Sequence, residues 1–169
     1  SPRRAFMNNT AVFVTTRIEE GLPLVPTDFM NMIIWSVLAK AQALYPDVAV
    51  CAFIFLLNHF HMLLTVEDPE QVSKFTGYVK QEIAHAVNRL LNRRQKTIWK
   101  AEYDAPTVLD FEKLLAVLAY IYLNPVEAGL ECTVGDYPGA SSWDMMKTDK
   151  ADAIFAIVKT AERELFLDY

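Results

Sequence analysis

Two of the chain's three histidines, His59 and His61, stand one residue apart in the apolar run LLNHFHMLL. Alternate side chains of an extended segment share a face. His59 and His61 therefore project together, with Leu63 and Thr65. Phe60, Met62, Leu64 and Val66 take the opposite face and have the composition of a core layer. Residues i and i+2 lie about 7 Å apart along a strand, close enough for two imidazoles to converge on one divalent ion. Imidazole suits Zn, Mn and Ni, and tolerates Mg where phosphate oxygens complete the shell. The same spacing equally serves two hydrogen-bonded histidines on a half-exposed sheet face, since two ligands do not make a metal site.

A third ligand and a reacting group stand together further along, in LAYIYLNP. With residues placed at 100° steps from Phe111, the side chains of Phe111, Leu114, Leu115, Leu118, Ile121 and Tyr122 form an apolar stripe. Tyr122 falls in the stripe as a core residue. Tyr120 falls almost opposite it, beside Asn124, its i+4 neighbour. Tyr120 is then either a surface or interface aromatic, or a phenol placed for chemistry.

The elements that must position these groups follow from pattern and punctuation. Ala11 to Ile18 alternates, is rich in β-branched residues and stops at a Glu-Glu-Gly-Leu-Pro cluster, which predicts a strand. Thr27-Asp28 caps a helix to about Ala43, with Phe29, Ile33, Ile34, Val37, Leu38 and Ala41 on its stripe and Pro46 beyond its end. Val48 to Leu57 and His59 to Val66 read as two strands joined by a tight turn near Asn58. Asp68-Pro69-Glu70 opens a long helix to about Arg94. A short extended stretch, TIWKAEYDAPTV, precedes a helix capped by Asp110, running from Phe111 to about Leu123 and ended by Pro125 and Gly129. GDYPGASSW reads as a loop and Asp149 to Leu167 as a last helix. The order β-α-β-β-α-β-α predicts an α+β, ferredoxin-like split βαβ domain: an antiparallel sheet with helices on one face and the other face free to carry chemistry. Residues 1–148 make one domain and 149–169 a C-terminal helical extension.

Composition narrows the class. With 169 residues and 53 % hydrophobic content the chain can bury a sizeable core. No apolar run approaches the ~20 residues a bilayer requires. The start, SPRRAFMNN, has charge without a following apolar core, so no signal peptide is expected. Cys51 and Cys132 have no metal-type spacing and read as free thiols in a reducing compartment. Net charge is −5, yet Gln71 to Ala101 holds seven basic residues against Glu82 alone. That window carries +6, the remainder −11, and a local basic region attracts a polyanion within about 10 Å even on an acidic protein.

Taken in order, FLLNHFHMLL, YVKQEIAHAVN, IWKAEYD, LAYIYLNPVEAGL and DYPGASSW resemble the HUH single-tyrosine transposases of insertion-sequence type, and most nearly their REP-associated tyrosine transposase branch. SPRRAF followed by VFVTTR also looks like the start of such proteins, so the likeness runs from about Arg3 to Trp143. The resemblance implies a metal-dependent single-stranded DNA nuclease and strand transferase. His59 and His61 match the pair that holds Mg or Mn, and Tyr120 matches the nucleophile. Asn124 stands where these enzymes place a polar third ligand one turn after the tyrosine, often Gln. It further implies single-stranded or hairpin DNA as partner, with Lys74, Lys80, Arg89, Arg93, Arg94 and Lys96 on the phosphate backbone. Trp99 serves either base stacking or the core, and Gln81 and His85 face either the site or solvent. The expected setting is cytoplasmic and nucleoid-associated, without a membrane, as a monomer or a homodimer. From Glu102 to Tyr169, thirteen acids stand against five basic residues, an acidic balance unlike many transposases. The alternatives are a domesticated, non-catalytic DNA-binding regulator with the same fold and a small metal-dependent hydrolase.

Overall fold

The computed structural model describes residues 9–19, 24–94, 96–127, 129 and 136–143. The elements are β1 (Thr10–Ile18), α1 (Asp28–Leu44), β2 (Val48–Phe55), β3 (His59–Val66), α2 (Glu70–Leu90), β4 (Trp99–Asp104), β5 (Thr107–Val108) and α3 (Phe111–Glu127). The sheet order is β2-β3-β1-β4, with β5 also on β1, and every pairing is antiparallel. This is the expected split βαβ order. The expected fourth strand is β4, and β5 adds a short fifth. The expected last helix, the 149–169 extension and Cys132 lie outside the described residues.

Local chemistry sets the element ends. The Thr27 hydroxyl accepts from Met30 N at 3.1 Å and caps α1. Asp68 Oδ1 accepts from Glu70 N at 3.0 Å before α2, and Asp110 Oδ1 accepts from Lys113 N at 2.8 Å before α3. Helix α2 stops at Leu90, earlier than the Arg94 that periodicity predicts. Asn92 takes a left-handed φ of 49°, Arg93 N donates to Asn88 O at 2.8 Å, and Asn92 N donates to Arg89 O at 3.3 Å. That pair of bonds is a Schellman closure, with Asn in the glycine position. Helix α3 continues through Pro125 instead of ending at Leu123.

Both sheet faces are covered. Helices α1 and α2 bury Ile34, Leu38, Phe75, Val79 and Ile83 against Val12, Val14, Phe53, Phe60, Met62 and Leu64. On the opposite face α3 packs Phe111, Leu114, Ile121 and Tyr122 over Ala52, Ile54, Leu56 and Leu63. Helices on one face therefore holds for α1 and α2, while α3 lies on the face of the histidines. The segment 136–143 closes the β2 edge. Ala140 O accepts from Phe55 N at 2.9 Å, Phe53 O accepts from Ser142 N at 3.0 Å, and the Tyr122 hydroxyl lies 2.8 Å from Ser142 Oγ. The Tyr137 ring folds over Gly139 so closely that a Cβ there would collide with it.

Two stripes shift from expectation. In α1, Phe29 is exposed and Met30 is buried in its stead. In α3, Leu115 is exposed and Asn124 is buried. The buried arc of α3 is centred on Leu114 and Ile121, and at 100° per residue it reaches about 80° to either side. Asn124 and Tyr122 fall at its two margins, and Leu115 falls just outside.

Candidate active site

Strand β3 delivers His59 and His61 to the α3 face, and β1 places their supports opposite them. Thr15 pairs with His61 and Arg17 with His59 in the ladder. His61 is only 2 % exposed, and the two imidazole centroids lie 4.8 Å apart. Thr15 Oγ1 is 2.9 Å from His61 Nδ1, and Asn58 Oδ1 is 2.6 Å from His59 Nδ1. A carboxamide oxygen only accepts, so His59 carries its proton on Nδ1. Asn124 Nδ2 lies 3.5 Å from His61 Nε2 and can only donate, so His61 also keeps its proton on Nδ1 and gives it to Thr15. Asn124 hydrogen-bonds His59 too. His61 Nε2 thus faces Asn124 of α3, and the Nδ1 of each ring has an outer partner, the arrangement in which such a partner fixes a ligating imidazole.

Both imidazoles are held neutral. Burial pushes His61 down to about 3, assisted by His59 and then by Arg17. Burial also lowers His59, with Arg17 adding to it and the Asn124 hydrogen bond opposing it. A neutral imidazole is the form that binds a metal. Among the described residues no three His, Cys, Asp or Glu side chains gather as a metal site. The donor set here is instead two imidazoles and the Asn124 carboxamide, whose oxygen replaces its nitrogen on a half-turn of the terminal bond. That set fits a divalent ion whose remaining ligands and balancing charge come from phosphate oxygens.

Tyr120 completes the cluster. Its ring meets His61 at 5.2 Å and Phe13 edge-on at 6.0 Å, and Phe13 stacks on His61 at 5.2 Å and 20°. Tyr120 remains 43 % exposed, so one side of the phenol is braced and the other is open to a bound molecule. Tyr122, two residues on, is buried against Ser142 and Trp143. The structure thus brings His59, His61, Tyr120 and Asn124 together from two elements far apart in sequence.

The expected DNA contacts divide differently. Lys74, Lys80, Arg89, Arg93 and Arg94 belong to α2 or its end, on the sheet face opposite the histidines, and Lys96 follows in the link to β4. None of them joins the histidine cluster. Gln81 and His85 also lie on α2, where His85 is 3.7 Å from Glu82, and they do not reach the histidines. Trp99 is a correction: it is 3 % exposed, donates from Nε1 to Lys80 O at 2.7 Å and meets Phe60 edge-on. It packs as a core residue and also lines the groove between α2 and β4.

Sequence reasoning missed the β1 contribution. Phe13, Thr15 and Arg17 share one strand face, but only the pairing register with β3 sets them against the histidines. Arg17, 3.3 Å from Asp104, is the cation whose charge acts on both imidazoles. The adjacency of Asn58 to His59 was the one local signal available.

A solved structure of a REP-associated tyrosine transposase bound to a REP hairpin is similar in fold, with a TM-score of 0.68 and 20 % identity over 80 % of this chain and 78 % of that one. A protein of Deinococcus radiodurans R1 assigned as a transposase matches more loosely, with a TM-score of 0.49 and 10 % identity over 73 % of this chain and 92 % of that one. No curated protein matches the chain. The family model for IS200-like transposases matches residues 28–124, from the first turn of α1 to Asn124, and so spans both histidines and the tyrosine. Matched over more than half its length, the chain belongs to the IS200-like transposase family.

Proposed function

We propose that the protein is a metal-dependent transesterase of single-stranded DNA, cutting and rejoining strands through a 5′-phosphotyrosine intermediate. The observation that carries this reading is the ring of Tyr120 against His61, with His59 and Asn124 beside it. An imidazole pair with both Nδ1 positions tethered stands against Asn124, and a half-open phenol borders it.

His59, His61 and Asn124 would hold the ion, Mg or Mn. Bound there, it would polarise the scissile phosphate and offset charge in the transition state. Thr15 and Asn58 keep the imidazoles in the ligating tautomer. Tyr120 supplies the nucleophile: its oxygen forms a bond to phosphorus as the bond from phosphorus to the 3′ oxygen breaks. The phenol proton is lost and the leaving 3′ oxygen gains one, giving a tyrosine-linked 5′-phosphate and a 3′-hydroxyl. The phosphodiester energy is retained, so the link can be reversed by another 3′-hydroxyl. Arg17 lies where it can neutralise a phosphate oxygen. The relative of similar fold was solved with a REP hairpin, which makes hairpin-bearing single strands the first substrates to try.

The test is a panel of hairpin single strands incubated with Mn, followed by denaturing electrophoresis. A denaturation-resistant protein–DNA adduct is expected from the native chain and none from Tyr120→Phe. A normal adduct from that variant would sink the assignment. Hairpin binding with no adduct under Mg or Mn would favour the non-catalytic regulator.

A further inference from the structure

On the opposite side of the sheet from the histidines, α2 and β4 enclose a groove of about 540 Å³. Gly77, Asn88, Lys80 and Lys96 on its lining each show something that packing does not explain. Gly77 sits in the middle of α2, where glycine is the least favoured residue after proline. Its backbone needs no positive φ, and a Cβ added there would meet nothing within 4 Å. Packing therefore does not call for glycine, and the space it leaves belongs to the groove. Asn88 is 4 % exposed. Its Nδ2 donates to Lys96 O at 2.6 Å, but its buried Oδ1 has no hydrogen-bond partner. An orphaned buried acceptor costs free energy unless a donor arrives. Lys80 is partly withdrawn from water, which lowers its pKa, and its Nζ lies 5.4 Å above the Tyr103 ring. Among the described residues no carboxylate pairs with Lys80 or Lys96.

We propose that this groove is a subsite for one unpaired nucleotide of the DNA strand, its base over Gly77 and donating to Asn88 Oδ1, its phosphate near Lys80 and Lys96. The inference rests on the single-stranded DNA reading above. The donor to Asn88 is an amino or imino group on a base edge, which a bare phosphate lacks. Tyr103 presents its ring beside Lys80, and its hydroxyl is fixed 3.0 Å from Ser73 Oγ. In the ladder Tyr103 pairs with Thr16, whereas Thr15 and Arg17 on either side of it belong to the histidine face. Groove and active site are thus back to back across β1 and β4. Because β4 is the outermost strand of the sheet path, a DNA strand turning over it would engage both.

The experiment is anisotropy of a labelled hairpin with a single-stranded flank, in EDTA so that the metal site does not contribute. Gly77→Leu should fill the groove and weaken binding at least tenfold with an unchanged or raised melting temperature. Adduct formation at saturating DNA with Mn should persist. An abasic residue scanned along the flank should weaken native binding about tenfold at one position, with no further loss for Gly77→Leu at that position. Binding by Gly77→Leu equal to native, or a flank with no sensitive position, would overturn the subsite and leave the transesterase reading standing. Failure of the native chain to bind any hairpin or single strand would overturn both. Should Gly77→Leu melt early, Lys80→Gln and Asn88→Leu report the same loss through the charge and the acceptor.

Discussion

The two faces of the sheet are built from the same strands and do opposite work. Strand β3 shows the contrast one residue at a time. Phe60, Met62 and Leu64 point to α1 and α2 and are fully buried among apolar side chains. His61, between Phe60 and Met62, is 2 % exposed, nearly as buried as they are, yet every polar contact it makes is specified. Burial of an apolar group needs only matching shape, whereas burial of an imidazole needs partners in fixed directions. The first face therefore holds the fold and tolerates local repacking. The second holds a constellation that one lost hydrogen bond can disorganise.

Substitutions that separate chemistry from stability test this division most severely. Tyr120→Phe should abolish the covalent adduct, a loss of at least about a thousandfold, because no other nucleophile replaces the phenol. Its melting temperature should stay within a few degrees of native, since the ring keeps its contacts with His61 and Phe13. Phe60→Ala should do the reverse, costing about 3–5 kcal/mol in denaturant unfolding through lost burial and a cavity, while any folded fraction keeps metal-dependent cleavage. A stable Phe60→Ala protein would mean that the α1/α2 face is not the main support of the sheet.

A finer comparison concerns the outer hydrogen bonds. Thr15→Val keeps the strand and its volume but removes the acceptor from His61 Nδ1. Mn affinity should fall about 10- to 100-fold by titration calorimetry, the usual scale for losing an outer partner of a metal-binding imidazole. An unchanged affinity would show that packing by Phe13 alone orients the ring. The smallest effect is a pH dependence. His61 stays neutral in the native state down to about 3 but takes a proton near 6.5 when unfolded. The unfolded chain therefore binds more protons as pH falls through that window, and metal-free native stability declines with it. His61→Leu should remove this component and lose less stability between pH 6.5 and 5, by about 1.6 kcal/mol. Parallel curves for the two proteins would show that His61 titrates normally in the folded state.

Much of the fold was legible because its signals are local. Thr27, Asp68, Asp110 and Pro46 bracket helices by short-range chemistry, and the alternation in β3 separates histidines from core residues without reference to any other segment. The misreadings arose where a local pattern was ambiguous. The α2 periodicity runs on past Leu90 because Asn92 can adopt a left-handed backbone that composition does not announce. Leu115 is as apolar as Leu114, and only the angle at which α3 meets the sheet exposes one and buries the other. Trp99 offered a ring for stacking, but its place against Phe60 and the Lys80 carbonyl consumes it. The basic residues from Lys74 to Arg94 fall on α2 or just after its end. That they lie behind the sheet, away from the histidines, depends on which face the helix covers.

The sequence by itself determined the chemical vocabulary of this protein: two imidazoles at strand spacing, a tyrosine and an asparagine one helical turn apart, and the order of elements that yields an antiparallel sheet. Periods of 2 and 3.6 residues carry that information within a few residues of each group. Tertiary structure alone decided that Thr15 and Phe13 of β1 stand against His61, that Asn124 turns inward while Tyr120 stays half open, and that Gly77 and Asn88 line a groove on the other side of the sheet. Those relations join residues dozens of positions apart. They depend on strand register and on the angle of helix to sheet, which only the packing of the whole chain sets.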